Sequence, residues 1–324
     1  MSTRIYWLIL FMLVFATSCK EKAAENKFQP VDLHAGHDHS LTGLEEFGRD
    51  SMEKRMDMSQ FPNAVLDIRY ANTNHPHQSL DIVYPDSGPA PFKFILVFHG
   101  GAWSTGDKQS EYIAPIFQAI THGYAVVSVN YRLSGDAKWP AQLHDAKAAV
   151  RFMRANALKY NLDASKIVAW GVSTGAHIAE MLAATNGDAD FEDLKMGNSG
   201  QSSAIQGVIA WYGISDLSGL KQVGIQAANE LMGFDVSIEK ERAGLASPIE
   251  LINENFPPIL IAHGTNDKVA PFEQAVNMQE KVNEVTGMER AQLISFQGGT
   301  HGDAMIKTSA SVARAIDFIE SIIN

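Results

Sequence analysis

The chain of 324 residues has one cysteine, Cys19, so an intramolecular disulfide is excluded. Basic residues are also scarce. Lys and Arg total 26 against 37 Asp and Glu, and the formal charge of −11 argues against nucleic acid or an anionic membrane surface as a partner. The same balance disfavours polyanionic substrates. The apolar run at residues 5–15 is too short for a comfortable membrane span. There is no internal repeat. What is left, 45% hydrophobic and 19% charged, is the composition of an ordinary globular protein, long enough for one large α/β domain or two small ones.

The N-terminus is organised differently from the rest. Arg4 precedes the apolar run, and Ala16-Thr17-Ser18-Cys19 follows it. A basic start, a short apolar core and small residues make a secretory signal over residues 1–18. The small residues ending on Cys19 resemble the lipobox of bacterial lipoproteins, with Ala16 where that pattern most often has Leu. The resemblance implies cleavage before Cys19, lipid on its thiol and amine, and an extracytoplasmic protein anchored to a bacterial membrane at the periplasmic face or the cell surface. A plain secretory signal with an incidental Cys19 is the alternative.

Residues 19–61 read as a flexible tether: polar, charged, poor in aromatics and without a sustained period. His34, His37 and His39 lie there beside Asp32 and Asp38. Imidazole and carboxylate suit a metal, but nothing around them would hold ligands in place, and a solvated linker is expected. The domain is expected to run over 62–324.

Within it, residues 64–70 and 79–84 alternate apolar and polar and predict a hairpin. Residues 92–98 are almost continuously apolar, which suits a strand buried on both faces. A helix over 110–121 and a strand over 125–130 follow. A long amphipathic helix comes next over 140–160, with Leu143, Ala146, Val150, Met153 and Ala157 on one face. Further strands are predicted at 166–170, 204–212, 258–264 and 291–296. Helices are predicted from His177, over 272–285, and over 301–323. Residues 214–255 have no clear period and read as a cap-like insertion of short helices. This alternation implies a mostly parallel sheet with helices on both faces and the first hairpin as an antiparallel edge.

The centre of the domain is Val168-Ala169-Trp170-Gly171-Val172-Ser173-Thr174-Gly175-Ala176-His177. It reads as a strand, a glycine-flanked serine and a helix. A serine on so sharp a turn has a strained backbone, and the flanking glycines remove the clashes bulkier residues would make. A serine hydroxyl also needs a base, and the base an orienting acid. In a sheet of this kind the partners follow in the order acid, then histidine, on loops after later strands. Asp267 and His301 meet both conditions. Asp216 lies one strand too early, and Asp303 is too close to His301. His263 at a strand end suits a packed structural histidine, while His177 on the following helix points along it, where it lines the pocket at most. Backbone N–H groups for an oxyanion are expected from Thr174 and from the Gly100/Gly101 loop.

The region from residue 64 onward resembles the α/β-hydrolase fold, in the esterase/lipase branch of feruloyl-esterase-like and hormone-sensitive-lipase-like enzymes. The matching stretches are Ser79-Leu80-Asp81-Ile82-Val83-Tyr84-Pro85, His99-Gly100-Gly101-Ala102-Trp103, Asn130-Tyr131-Arg132-Leu133, the Gly171–Gly175 motif, His263-Gly264-Thr265-Asn266-Asp267 and Gly299-Thr300-His301-Gly302. The resemblance implies Ser173 as nucleophile, Asp267 as acid, His301 as base and an oxyanion hole at Gly100 and Gly101. The chain departs from the family where Thr174 and Gly175-Ala176 replace an alanine followed by two glycines. It departs again at Ala102, which is expected to supply to the oxyanion hole an N–H that another branch takes from glycine. An ion pair of Arg132 with Asp145 is expected beneath this rim. The expected activity is that of a serine carboxylic-ester hydrolase with no metal or organic cofactor, and its substrates are expected to be acetylated or feruloylated glycans. A prolyl-oligopeptidase-like peptidase and a non-catalytic binding protein are the competing readings.

Overall fold

The computed structural model describes residues 54–221 and 223–323. Among these, β1 (Val65–Arg69), β2 (Ser79–Val83), β3 (Phe92–Phe98), β4 (Ala125–Val129), β5 (Leu162–Val172), β6 (Gly207–Trp211), β7 (Ile259–Gly264) and β8 (Ala291–Phe296) form one sheet in the order β1-β2-β4-β3-β5-β6-β7-β8. The β1/β2 and β2/β4 pairs are antiparallel and every pair from β4/β3 to β7/β8 is parallel. The predicted edge hairpin and parallel body are therefore both present.

The apolar run at β3 shows why two helical layers are needed. Phe94, Leu96 and Phe98 enter one core while Ile95 and Val97 enter the other, because successive strand side chains point to opposite faces. The first core takes Leu143, Val150 and Met153 of α1 (Ala141–Asn156), Ile178 and Leu182 of α2 (Thr174–Ala184), and Met278 and Val282 of α5 (Glu273–Thr286). The second takes Val312, Ile316 and Ile319 of α6 (Ser309–Ile323) and Ile113 and Ile116 of a 3-10 run over Glu111–His122. Each large aliphatic side chain removed from water here contributes about 1.5–3 kcal/mol.

Several boundaries differ from the sequence expectation, each for a local reason. The stretch predicted as a helix at 110–121 is a 3-10 run, with Pro115 inside it and Gly123 at φ +84° ending it. Pro115 has no N–H to give an α-helical ladder. Helix α1 stops at Asn156 rather than 160, and the chain turns through Asn161 at φ +51° into β5. Helix α6 starts at Ser309 rather than 301. Gly302 at φ +66° breaks the chain direction, and the Thr308 hydroxyl accepts the Ser311 N–H at 3.2 Å as an N-cap. Residues 214–255 carry the expected short helices, α3 (Val223–Met232) and α4 (Lys240–Gly244), and a 3-10 turn over Pro248–Leu251.

The tether boundary expected at residue 61 also moves. Residues 54–61 already pack on the domain: Glu111 N–H donates to Lys54 O at 2.8 Å, Met56 N–H donates to Gln109 O at 2.7 Å, and Met56 is buried. The expected signal segment over residues 1–18, Cys19 and the histidines His34, His37 and His39 lie outside the described residues. No helix of the described residues is long and apolar enough to cross a membrane.

Candidate active site

Ser173 sits between β5 and α2 with φ +53° and ψ −122°, a conformation that costs a non-glycine residue of order 1–3 kcal/mol. The flanking glycines explain how the turn exists. A Cβ at Gly171 would lie 2.1 Å from the Gly175 carbonyl oxygen, and one at Gly175 would lie 2.2 Å from the Phe98 carbonyl oxygen. Both clashes are with backbone that cannot move aside. Ser173 N–H is fixed by Trp211 O at 2.9 Å, which ties the turn to the neighbouring strand.

The loops after β7 and β8 bring the predicted partners to this hydroxyl. Ser173 Oγ is 2.8 Å from His301 Nε2, and His301 Nδ1 is 2.7 Å from Asp267 Oδ2. With Nδ1–H donated to the carboxylate, Nε2 is left as the acceptor for the serine proton. The other oxygen, Oδ1 of Asp267, accepts the N–H groups of Val269 and Ala270, each at 2.9 Å. Burial pushes the Asp267 pKa up. The charge of His301 and hydrogen bonding from His263 and His301 more than offset that, so the carboxyl titrates well below the usual range. Ser173, Asp267 and His301 are thus brought into one hydrogen-bonded chain.

The loop after β3 runs directly against the serine. A Cβ at Gly100 would stand 3.1 Å from Ser173 Cβ. Gly101, Ala102 and Trp103 follow at φ +121°, +52° and +56°. Among the described residues, neither Gly101 N–H nor Ala102 N–H donates to a protein acceptor. Thr174 opens α2, where a first-turn N–H has no acceptor within the helix. The N–H groups of Gly101, Ala102 and Thr174 are therefore free to receive an anion.

The remaining candidates fall elsewhere. His177 does not line a pocket: it is fully buried, between the Trp103 loop and the cap-like segment. His263 is fully buried as well, with Nε2–H on Ala270 O at 2.8 Å. Asp216 accepts Ser218 N–H at 2.8 Å, and Asp303 accepts Thr300 N–H at 3.1 Å, so both close their own turns. Arg132 meets Asp145 through Nε and Nη2, with Nη2 to Oδ1 at 2.8 Å, and Asp145 is fully buried. The expected ion pair is present.

Two features escaped the sequence reading. Glu180, on α2, is buried with no hydrogen-bond partner for Oε2, and burial pushes its pKa up to about 8. His75, His77 and Asp136 offer three ligand atoms within 4.8 Å of one another. As they stand they form a hydrogen-bonded clasp: His75 Nδ1 accepts the His77 backbone N–H at 3.2 Å, and His77 Nδ1 meets Asp136 at 2.6 Å.

Known proteins agree with this architecture. Esterase LipC of Mycobacterium tuberculosis is 28% identical over 231 residues, which cover 70% of this chain and 57% of LipC. The chain spans about half the length of the curated relatives it matches first. Among solved structures, a truncated carbohydrate esterase from gut microbiota superposes with a TM-score of 0.74 at 30% identity, covering 83% of this chain and 99% of that one. A bifunctional GH43-CE protein of Bacteroides eggerthii gives 0.74 at 31% identity, covering 81% of this chain and 38% of that one. The BD-FAE family model matches residues 80–282, which is 203 of the 324 residues. That span runs from β2 into α5 and holds the Ser173 turn, the Gly100–Trp103 loop and Asp267; on it, the chain belongs to the BD-FAE family of α/β hydrolases.

Proposed function

We propose that this protein is a serine carboxylic-ester hydrolase. The observation that carries the reading is the unbroken chain from Ser173 Oγ to His301 at 2.8 Å and from His301 to Asp267 at 2.7 Å. In this mechanism Ser173 attacks the ester carbonyl as His301 takes its proton. The carbonyl oxygen becomes an oxyanion and is received by the N–H groups of Gly101 and Ala102, with Gly100 giving the loop room, and of Thr174. His301 then returns the proton to the leaving alcohol. Water, deprotonated by His301, then attacks the acyl carbonyl; the bond to Ser173 Oγ breaks, His301 gives that oxygen its proton, and the acid is freed. Asp267 keeps His301 in the productive tautomer throughout. The chemistry uses this chain's own side chains and backbone at each step.

Glycans carrying acetyl or feruloyl esters are the proposed substrates. This rests on the family and on a solved neighbour described as a carbohydrate esterase. Anchoring through lipid on Cys19 belongs to the same proposal and rests on the N-terminal sequence. The peptidase and binding-protein readings are less favoured, because the relatives are named esterases and the serine is already bonded to a base.

The test is turnover of p-nitrophenyl esters from acetate to long acyl chains, then of acetylated xylan and methyl ferulate. The protein starting after Cys19 is compared with Ser173→Ala. Loss of at least about 10³-fold in the variant is expected. A folded protein that turns over none of these esters overturns the proposal.

A further inference from the structure

The oxyanion loop is held in a shape its own sequence resists. Ala102 and Trp103 both lie in the left-handed region, at φ +52° and +56°, and neither is a glycine. Something outside the loop must hold them there. Helix α2 supplies it. The Trp103 backbone N–H reaches Thr174 Oγ1 at 3.4 Å, and the Trp103 indole Nε1–H donates to His177 Nδ1 at 3.2 Å. Thr174 and His177 are three residues apart on that helix and so share a face. His177 Nε2–H then donates to Ala246 O, at 2.8 Å, in the cap-like segment. The other side of the turn is closed by Ser134 N–H on Trp103 O at 2.7 Å.

His177 is well placed for this one task. It is fully buried, with the rings of Trp103 and Trp139 at 5.1 and 5.3 Å. One nitrogen accepts and the other donates, which fixes a neutral imidazole with its proton on Nε2. Burial also holds its pKa down, to about 4. Its side chain bonds to Trp103 and Ala246 and to none of Ser173, Asp267 or His301; its backbone N–H meets Ser173 O at 3.2 Å in the first turn of the helix. It joins the oxyanion loop, at Trp103, to the cap-like segment, at Ala246, 143 residues further along the chain.

We infer that His177 is a positioning residue for the oxyanion hole: the hydrogen-bonded series Trp103–His177–Ala246 locks the strained Gly101–Trp103 turn against the nucleophile helix. The inference rests on the proposed ester hydrolysis. An oxyanion donor acts on the transition state and contributes little to ground-state binding. Its misplacement should therefore lower kcat and leave KM nearly unchanged.

The experiment compares His177→Phe and His177→Gln with the unmodified protein on p-nitrophenyl acetate. Phe keeps the ring volume and loses both hydrogen bonds, whereas Gln keeps one acceptor and one donor. The expected result is a kcat lower by about 10- to 100-fold in His177→Phe, with KM within about threefold, and substantial recovery in His177→Gln. A folded His177→Phe with full kcat overturns the inference, as does equal loss in Phe and Gln, which would assign the effect to packing. If His177→Phe does not fold, Thr174→Val against Thr174→Ser makes the same comparison at the other end of the Trp103 anchor. Loss of kcat in Val and recovery in Ser supports the inference, and no loss in Val overturns it. Absence of turnover in the unmodified protein would instead sink the esterase reading.

Discussion

His263 and His301 converge on a single oxygen of Asp267: Oδ2 lies 2.7 Å from His301 Nδ1 and 3.2 Å from His263 Nε2. The two contacts are unequal. His263 aims its N–H mainly at Ala270 O, at 2.8 Å, so its approach to Asp267 is the weaker, while His301 makes the short, charge-assisted bond. The carboxylate is thus fixed by backbone N–H groups on Oδ1 and by two imidazoles on Oδ2.

A graded response to mutation follows from that inequality. Asp267→Asn keeps the shape but removes the acceptor that selects the His301 tautomer, and kcat should fall by roughly 10⁴-fold. His263→Phe leaves the carboxylate with its two backbone donors and His301, so kcat should fall only about tenfold. The Ala270 carbonyl loses its partner, and stability should drop by about 1–3 kcal/mol. Steady-state kinetics and urea midpoints on both variants check the ranking. A larger kcat loss in His263→Phe than in Asp267→Asn would contradict it.

Glycine substitutions separate the Ser173 turn from ordinary loops. Gly171→Ala and Gly175→Ala each force a Cβ to within 2.1–2.2 Å of a backbone oxygen. Each should cost at least about 3 kcal/mol or abolish soluble expression. A Cβ at Gly135 or Gly200 meets nothing within 4 Å, and alanine there should change stability by no more than about 0.5 kcal/mol. Thermal melts of the four variants decide the matter.

Glu180 gives the protein a pH dependence of predictable sign. Its pKa is raised by burial to about 8 from an ordinary 4.5. Below pH 4.5 both folded and unfolded chains carry the proton, and the contribution to stability is fully present. Between 4.5 and about 8 only the unfolded chain ionises, so stability declines by about 1.4 kcal/mol per pH unit from this group. Glu180→Gln cannot ionise. The variant should gain stability relative to the parent as pH rises from 5 to 8. Denaturant titrations at both pH values measure this, and a constant difference between the two proteins would show that Glu180 does not titrate in this window.

The ion pair beneath the rim is expected to be costly to break from one side. Asp145 is fully buried and takes Arg132 side-chain and backbone donors together with Gln78 Nε2 at 2.7 Å. Arg132→Met leaves that carboxylate uncompensated and should cost about 3–5 kcal/mol. Replacing both partners, Arg132→Met with Asp145→Leu, should recover a large part of it. A double-mutant cycle by chemical denaturation reads the coupling, and simple additivity would refute it.

Much of this protein is local in origin and so was legible in the chain itself. Period-two alternation marked β1 and β2, and an unbroken apolar run marked β3, because strand side chains alternate between faces whatever lies around them. Gly171 and Gly175 marked the turn at Ser173, since a steric clash within a few residues is settled by those residues. Strand-end positions then singled out Asp267 and His301, because parallel strands place their following loops on one rim. Other outcomes depended on groups brought together from distant parts of the chain. No pattern around His177 shows that it will accept from Trp103 and donate to Ala246, 74 and 69 residues away. Nothing local to Glu180 shows that it will be left without a partner, nor does the sequence near Met56 show that it will be drawn into the core by residues at 109–111. Hydrogen bonding and burial of these groups are set by which surfaces meet when the layers pack. The sequence therefore determined the order of strands and helices and the chemistry at the turn, and tertiary packing decided which side chains hold that chemistry in place.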